Sequence, residues 1–84
     1  MEPVTSVAAF IARYGDGSDS RAAEILASLG AEERRVIGLH AAPPAARPGC
    51  LARLGWSEAY LRHVEQRAFV DVRRALQRRG LLRP

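Results

Sequence analysis

Apolar positions recur at steps of three and four along most of the chain, and the alternating runs that half-bury a strand are scarce. Val4, Val7, Ala8, Ile11 and Tyr14 share one face of a helix read from about Val4 to Tyr14, with Pro3, Thr5 and Ser6 as start signals and Gly15 as its end. After the turn-forming run GDGSDS, Asp19 or Ser20 caps a second helix by accepting a backbone N–H. That helix turns Ala22, Ile25, Leu26 and Leu29 inward and closes at Gly30. A third opens at Ala31, where Glu32 and Glu33 sit at the positive end of the helix dipole, and buries Val36, Ile37 and Leu39.

Pro43 and Pro44 cannot continue a helix, so residues 43–48 read as a Pro-rich connector. A short helix follows from about Pro48 to Leu54, with proline in its first turn. Gly55 then makes a turn, Ser57 caps the next helix, and Leu61, Val64, Ala68, Val72, Ala75 and Leu76 draw one apolar stripe toward Arg79, with Gly80 as the stop. The prediction is an all-α domain of about five helices: supporting helices over 1–42, the connector, and a helix–turn–helix over 48–79.

Length changes little in this picture, because 84 residues supply one core and no more. No apolar run approaches the roughly 20 residues of a membrane span, and the N-terminus lacks the basic start of a secretory signal, so the expected location is the cytoplasm. A lone cysteine, Cys50, has no partner for a disulfide or a zinc site and reads as a small core residue.

Charge changes more. Residues 1–42 carry four Arg against six acids, whereas residues 43–84 carry nine Arg against three, and no lysine occurs anywhere. Arginine presents a planar fork that matches phosphate and guanine edges, although a GC-rich genome produces the same bias. His40 and His63 stand apart without metal-ligand company, and neither Gly-rich stretch carries the Lys-Ser/Thr element of a phosphate loop. No enzyme activity, cofactor, metal or small-molecule substrate is expected.

A short helix, a turn glycine and a capped second helix have the spacing of a helix–turn–helix, and a generic helical corner needs the same glycine. In that unit Cys50, Leu54, Trp56, Leu61 and Val64 are the expected apolar contacts, with Trp56 as a core anchor at the turn. The segment LGWSEAYLRHVEQRAFVDVRRAL resembles region 4, the promoter-reading domain of bacterial sigma factors, whose pattern is roughly L-G-V-S-x-x-x-V-R-Q-I-E-x-R-A-L-x-x-L-R. Leu54, Gly55, Ser57, Leu61, Arg62, Val64, Glu65, Arg67, Ala68, Phe69, Val72 and Arg73 match it, and LASLGAEERRVIGLH is similar to the preceding helix. The resemblance implies double-stranded DNA and bacterial RNA polymerase as partners. Three departures accompany it. Leu51 stands where the family has Gly or Ala, a Pro-rich run replaces its Thr-Leu-Glu-Glu start, and Glu58, Ala59 and Tyr60 occupy the place of an Arg-Glu-Arg set that touches bases.

A reading helix presents its exposed face and N-terminal turns to the major groove. Ser57 opens that helix, and Glu58, Tyr60, Arg62, His63 and Arg67 are its candidate readers, with Arg62 suited to guanine and Glu58 to cytosine. Arg67, Arg73, Arg74, Arg78 and Arg79 are the candidate phosphate contacts. Each of these has a plainer reading as a solvated surface residue, and Glu65 as one that pairs with a neighbouring Arg at helical spacing. The alternative function is a helical protein-interaction module that docks on polymerase or oligomerises, as a phage DNA-packaging small subunit does, without reading promoter sequence.

Overall fold

The computed structural model describes residues 1–84. Helices run over Val7–Tyr14 (α1), Ser20–Ala27 (α2), Ala31–Ala41 (α3), Arg47–Leu54 (α4) and Glu58–Arg78 (α5), with a single 3-10 turn over Pro44–Ala46. There is no sheet; one isolated parallel bridge joins Val4 to Leu82.

Local chemistry sets each boundary. Ser6 Oγ accepts the Ala9 N–H at 3.1 Å, so α1 starts three residues later than the apolar spacing indicates. Val4 is left in extended chain, where its N–H donates to the Leu81 carbonyl at 2.8 Å and its carbonyl accepts the Arg83 N–H at 2.7 Å. Asp19 caps α2 by accepting the N–H groups of Arg21 and Ala22 at 2.9 and 3.1 Å. The second helix stops at Ala27, with Ser28 as its C-cap, and Gly30 turns out to be the residue that precedes α3. Gly80, at φ 66°, ends α5 and folds the chain back so that the Leu81 N–H reaches the Leu76 carbonyl at 2.9 Å.

At 21 residues α5 spans about 31 Å, close to the 35 Å long axis of the molecule, and the other helices pack on it. Its stripe of Val64, Ala68, Val72, Ala75 and Leu76 is buried as the spacing predicts. Around that stripe lie Val7, Phe10 and Ile11 of α1, Ala22 and Ile25 of α2, Val36, Ile37 and Leu39 of α3, and Leu29 and Leu81 from the connections. The inward face of α1 differs by one position from the expected set, since Phe10 is fully enclosed and Ala8 is exposed. The Phe10 ring also sits 6.1 Å from Tyr14, one turn along the same face.

The fourth helix departs furthest from expectation. It contributes no buried residue, Cys50 and Leu54 are only half-buried, and Leu51 is 42% exposed. Leu61 and Trp56 are half-buried as well, so of the five expected apolar contacts at the turn only Val64 is in the core.

Burial ranks the effects of substitution. Val64→Asp places an unpaired carboxylate in the core and should cost about 3 kcal/mol or more, while Leu61→Asp keeps its charge at the half-exposed edge and should cost about 1 to 2 kcal/mol. Chemical denaturation of both variants checks the ranking; equal midpoints for the two would mean that α5 is not seated on this stripe.

Candidate nucleic-acid interface

The turn between α4 and α5 is built from a glycine and a cap. Gly55 adopts φ 66° and ψ 17°, a left-handed conformation that costs a side-chain-bearing residue about 1 kcal/mol or more. Two residues on, Ser57 Oγ accepts the Tyr60 N–H at 3.2 Å and begins α5. Trp56 meets the Tyr60 ring edge-on with centroids 5.2 Å apart, and Tyr60 lies 6.3 Å from His63.

The contacts made by α3 define its path over α5. Near its start, Glu32 accepts the Tyr60 hydroxyl proton at 2.7 and 2.8 Å on its two oxygens, and Glu33 lies 4.0 Å from Arg67. At its end, His40 Nε2 is 2.6 Å from Glu65 Oε2 and the His40 ring packs edge-on against Phe69 at 5.5 Å. On a helical wheel Tyr60 and Arg67 occupy one flank of α5, and Glu65 and Phe69 the other. The third helix therefore crosses α5 from flank to flank, and the solvent-facing side of α5 stays uncovered.

The candidate residues distribute unevenly on that open side. Ser57 keeps its hydroxyl hydrogen for a further acceptor while its oxygen holds the cap. Glu58 and Arg62 are both exposed and 3.8 Å apart, a pair one helical turn apart that water largely screens. His63 is exposed. The Tyr60 hydroxyl is committed to Glu32, and that hydrogen bond raises the phenol above its ordinary value of 10.0. Arg67 is exposed along most of its length, reaching toward Glu33. Arg73, Arg74 and Arg78 are exposed and have no carboxylate partner. Arg79 differs from them, because its Nη1 donates to Glu24 Oε2 at 3.1 Å and ties the end of α5 to α2. His63, Arg67, Arg74 and Arg78 follow one another at steps of four, seven and four, which aligns them in one row. Arg62 and Arg73, eleven residues apart, lie on the other edge of the exposed side.

Glu65 is positioned by His40 across the helix crossing and not by an arginine on its own helix. Glu33 escaped the sequence reading, which placed it at the dipole. It is 7% exposed, its Oε2 is enclosed without a partner, and burial followed by the neighbouring Asp71 carboxyl raises its pKa above 4.5, with Arg67 opposing. The spacing Glu33, Val36, Ile37, His40 was the available signal, since it puts Glu33 on the buried stripe of α3. No cluster of His, Cys, Asp or Glu has a metal-binding arrangement, and no helix is long and apolar enough to cross a membrane. Comparison with protein-family models, curated proteins and solved structures finds no match to this chain.

The raised pKa of Glu33 has a definite sign in stability. The folded state binds this proton more tightly than the unfolded chain, so the contribution is fully present below the ordinary value of 4.5 and is lost as pH rises through the elevated folded value. Above that range folding must keep an ionised carboxylate beside Asp71 in the interior. Glu33→Gln removes the charge and supplies an N–H donor for Asp71, and should stabilise the fold by about 1 kcal/mol at pH 8, with the advantage vanishing near pH 4. Denaturation midpoints of the two proteins across that range check the trend, and a constant offset would locate the effect elsewhere.

Proposed function

We propose that the chain is a duplex-DNA-binding transcription regulator of the sigma region 4 type, which sets α5 in the major groove and works with bacterial RNA polymerase. The observation that carries this reading is the joint between α4 and α5. A left-handed glycine and a serine cap launch an uninterrupted 21-residue helix with one side free, and that side bears Arg62, Arg67, Arg73, Arg74 and Arg78. A recognition helix needs such a free side, a fixed entry angle and positive charge for the phosphates. The crossing of α3 over α5 supports it too, because a helix braced on its inner side from flank to flank can enter a groove without carrying its support along.

Position on α5 divides the labour. Arg62 lies in the second turn, within reach of a guanine edge, and Ser57 and His63 flank it. Arg74 and Arg78 lie about 18 to 24 Å farther along the axis, where the helix has left the groove floor and only backbone phosphates are near. Tyr60 acts by bracing α5 against Glu32, and Arg79 by holding α2.

A second reading is favoured by one specific observation. The fourth helix is almost wholly exposed, with Leu51 at 42%, which suits a protein-interaction module, including a polymerase-binding or oligomerising one. Electrostatics separates the two readings. Binding to a duplex should fall steeply with salt, with a slope of about 0.9 per phosphate neutralised. Arg62→Ala should cost about 1 to 3 kcal/mol on a selected duplex and narrow its margin over a scrambled one. Arg78→Ala should weaken both duplexes alike and lower the salt slope by about one, and Arg79→Ala, already matched by Glu24, should do less. Anisotropy titrations at several salt concentrations measure all three. Absence of salt-dependent binding by the parent protein would leave the interaction module as the function.

A further inference from the structure

Beside the arginine row, the end of α3 and the middle of α5 border a shallow groove of about 510 Å³ lined by His40, Glu65, Gln66, Phe69 and Val70, the last reaching to the edge of the row. Its floor is apolar. Phe69 is half-buried and Val70 is 45% exposed, an unusual place for a valine on a helix whose other outward residues are mostly charged or amide. The only acid in it, Glu65, is occupied by His40 at 2.6 Å and by its place at the helix crossing.

The rim is basic. Arg62 precedes Gln66 by one turn, Arg73 follows Phe69 by one turn, and both are exposed on the groove side of α5. The Arg47 guanidinium donates to the His40 carbonyl at 3.3 Å, which brings a third positive charge to the end of α3. Glu58 offsets Arg62 only through a screened contact of 3.8 Å between two exposed side chains.

We infer that this groove receives a segment of a partner protein that presents apolar side chains flanked by Asp and Glu. Charge complementarity selects that occupant. A second copy of this chain, whose formal charge is +4, would set Arg62 and Arg73 against their own equivalents, which like-charge repulsion opposes. A duplex would satisfy the arginines and leave Phe69 and Val70 facing sugar and phosphate, with no apolar surface buried. An acidic segment with an apolar row does both at once, burying Val70 and the Phe69 edge while its carboxylates meet the three guanidinium groups. The groove shares Arg62 and Arg73 with the side of α5 proposed above to meet DNA, and its Gln66 and Val70 also border His63, Arg67 and Arg74, so a duplex and an acidic segment would compete for this face.

The test pans the full chain against a random peptide library displayed on phage and measures the recovered peptides by fluorescence anisotropy. The expected peptides are rich in Asp and Glu around Leu, Ile or Phe, and lose affinity as salt rises. Val70→Ser, which keeps the charge and suits an exposed helical site, should weaken them about threefold to tenfold, and Arg73→Ala should weaken them and flatten their salt dependence. A thermal melt of Val70→Ser matching the parent shows that the fold is kept. Duplex binding by the same variant should keep its salt slope, since no charge is removed. Recovery of basic or uncharged peptides, or of acidic ones that bind Val70→Ser as well as the parent, overturns the inference. So does a parent dimer in light scattering that Val70→Ser dissolves, or a loss of duplex binding in Val70→Ser, each of which assigns the groove to another occupant.

Discussion

Everything else in the fold hangs on the burial of one stripe of α5. A helix about 31 Å long can serve as a spine for a small domain only if several partners share a narrow face, and the stripe has the shape for it. Ala68 and Ala75 are fully or almost fully enclosed beside Val64, Val72 and Leu76, so short side chains alternate with branched ones and let neighbouring backbones come close. The first three helices and the returned C-terminal segment all meet on that stripe. Because they take one side, they leave the opposite side uncovered for the whole length of α5.

Polar contacts then fix how the partners lie on the spine. Hydrophobic burial is non-directional and does not choose a crossing angle by itself. Tyr60 with Glu32, and His40 with Glu65, anchor the two ends of α3 to opposite flanks of α5, and Arg79 with Glu24 ties its end to α2. Glu33 is the costly member of this seam. It brings a carboxylate into the interior beside Asp71, and Arg67, at 4.0 Å and mostly solvated, compensates only in part. The arrangement carries its most strained electrostatics at the point where α3 and the arginine row come together.

The helical architecture was legible because each signal is local. Ser57 as a cap, Gly55 and Gly80 in left-handed turns, the interruption at Pro43 and the stripe from Val64 to Leu76 all act within a few residues, and all appear as read. Failures came where a local signal met a tertiary one. The start of α1 moved because Ser6 captured the Ala9 N–H and Val4 found the Leu81 carbonyl, a partner far away in sequence. Gly30 looked like a stop and is a start, since one glycine suits either side of a connection between helices. The site was legible as a list of arginines and not as a division among them. No spacing rule shows that Glu24 holds Arg79, that Glu32 holds Tyr60, or that His40 rather than an arginine holds Glu65, because each pair joins residues 25 or more positions apart.

The exposed fourth helix has a physical cause in the same sequence. Two prolines and a 3-10 turn displace the chain after α3, and the helix that follows turns Leu51 outward at 42% exposure. With no fully buried residue of its own, α4 gains little hydrophobic energy from its place; it is held by half-buried Cys50 and Leu54, by the Arg47 hydrogen bond to the His40 carbonyl, and by the proline-bearing turn and the left-handed Gly55 at its ends. The left-handed Gly55 sets the direction in which the chain leaves α4, and the Ser57 cap fixes where α5 begins. Stability in this molecule is thus concentrated behind α5, while the arginines stand on its open side. Of the five helices α4 alone has no enclosed side chain, so it offers its surface to a partner with the least loss of core packing.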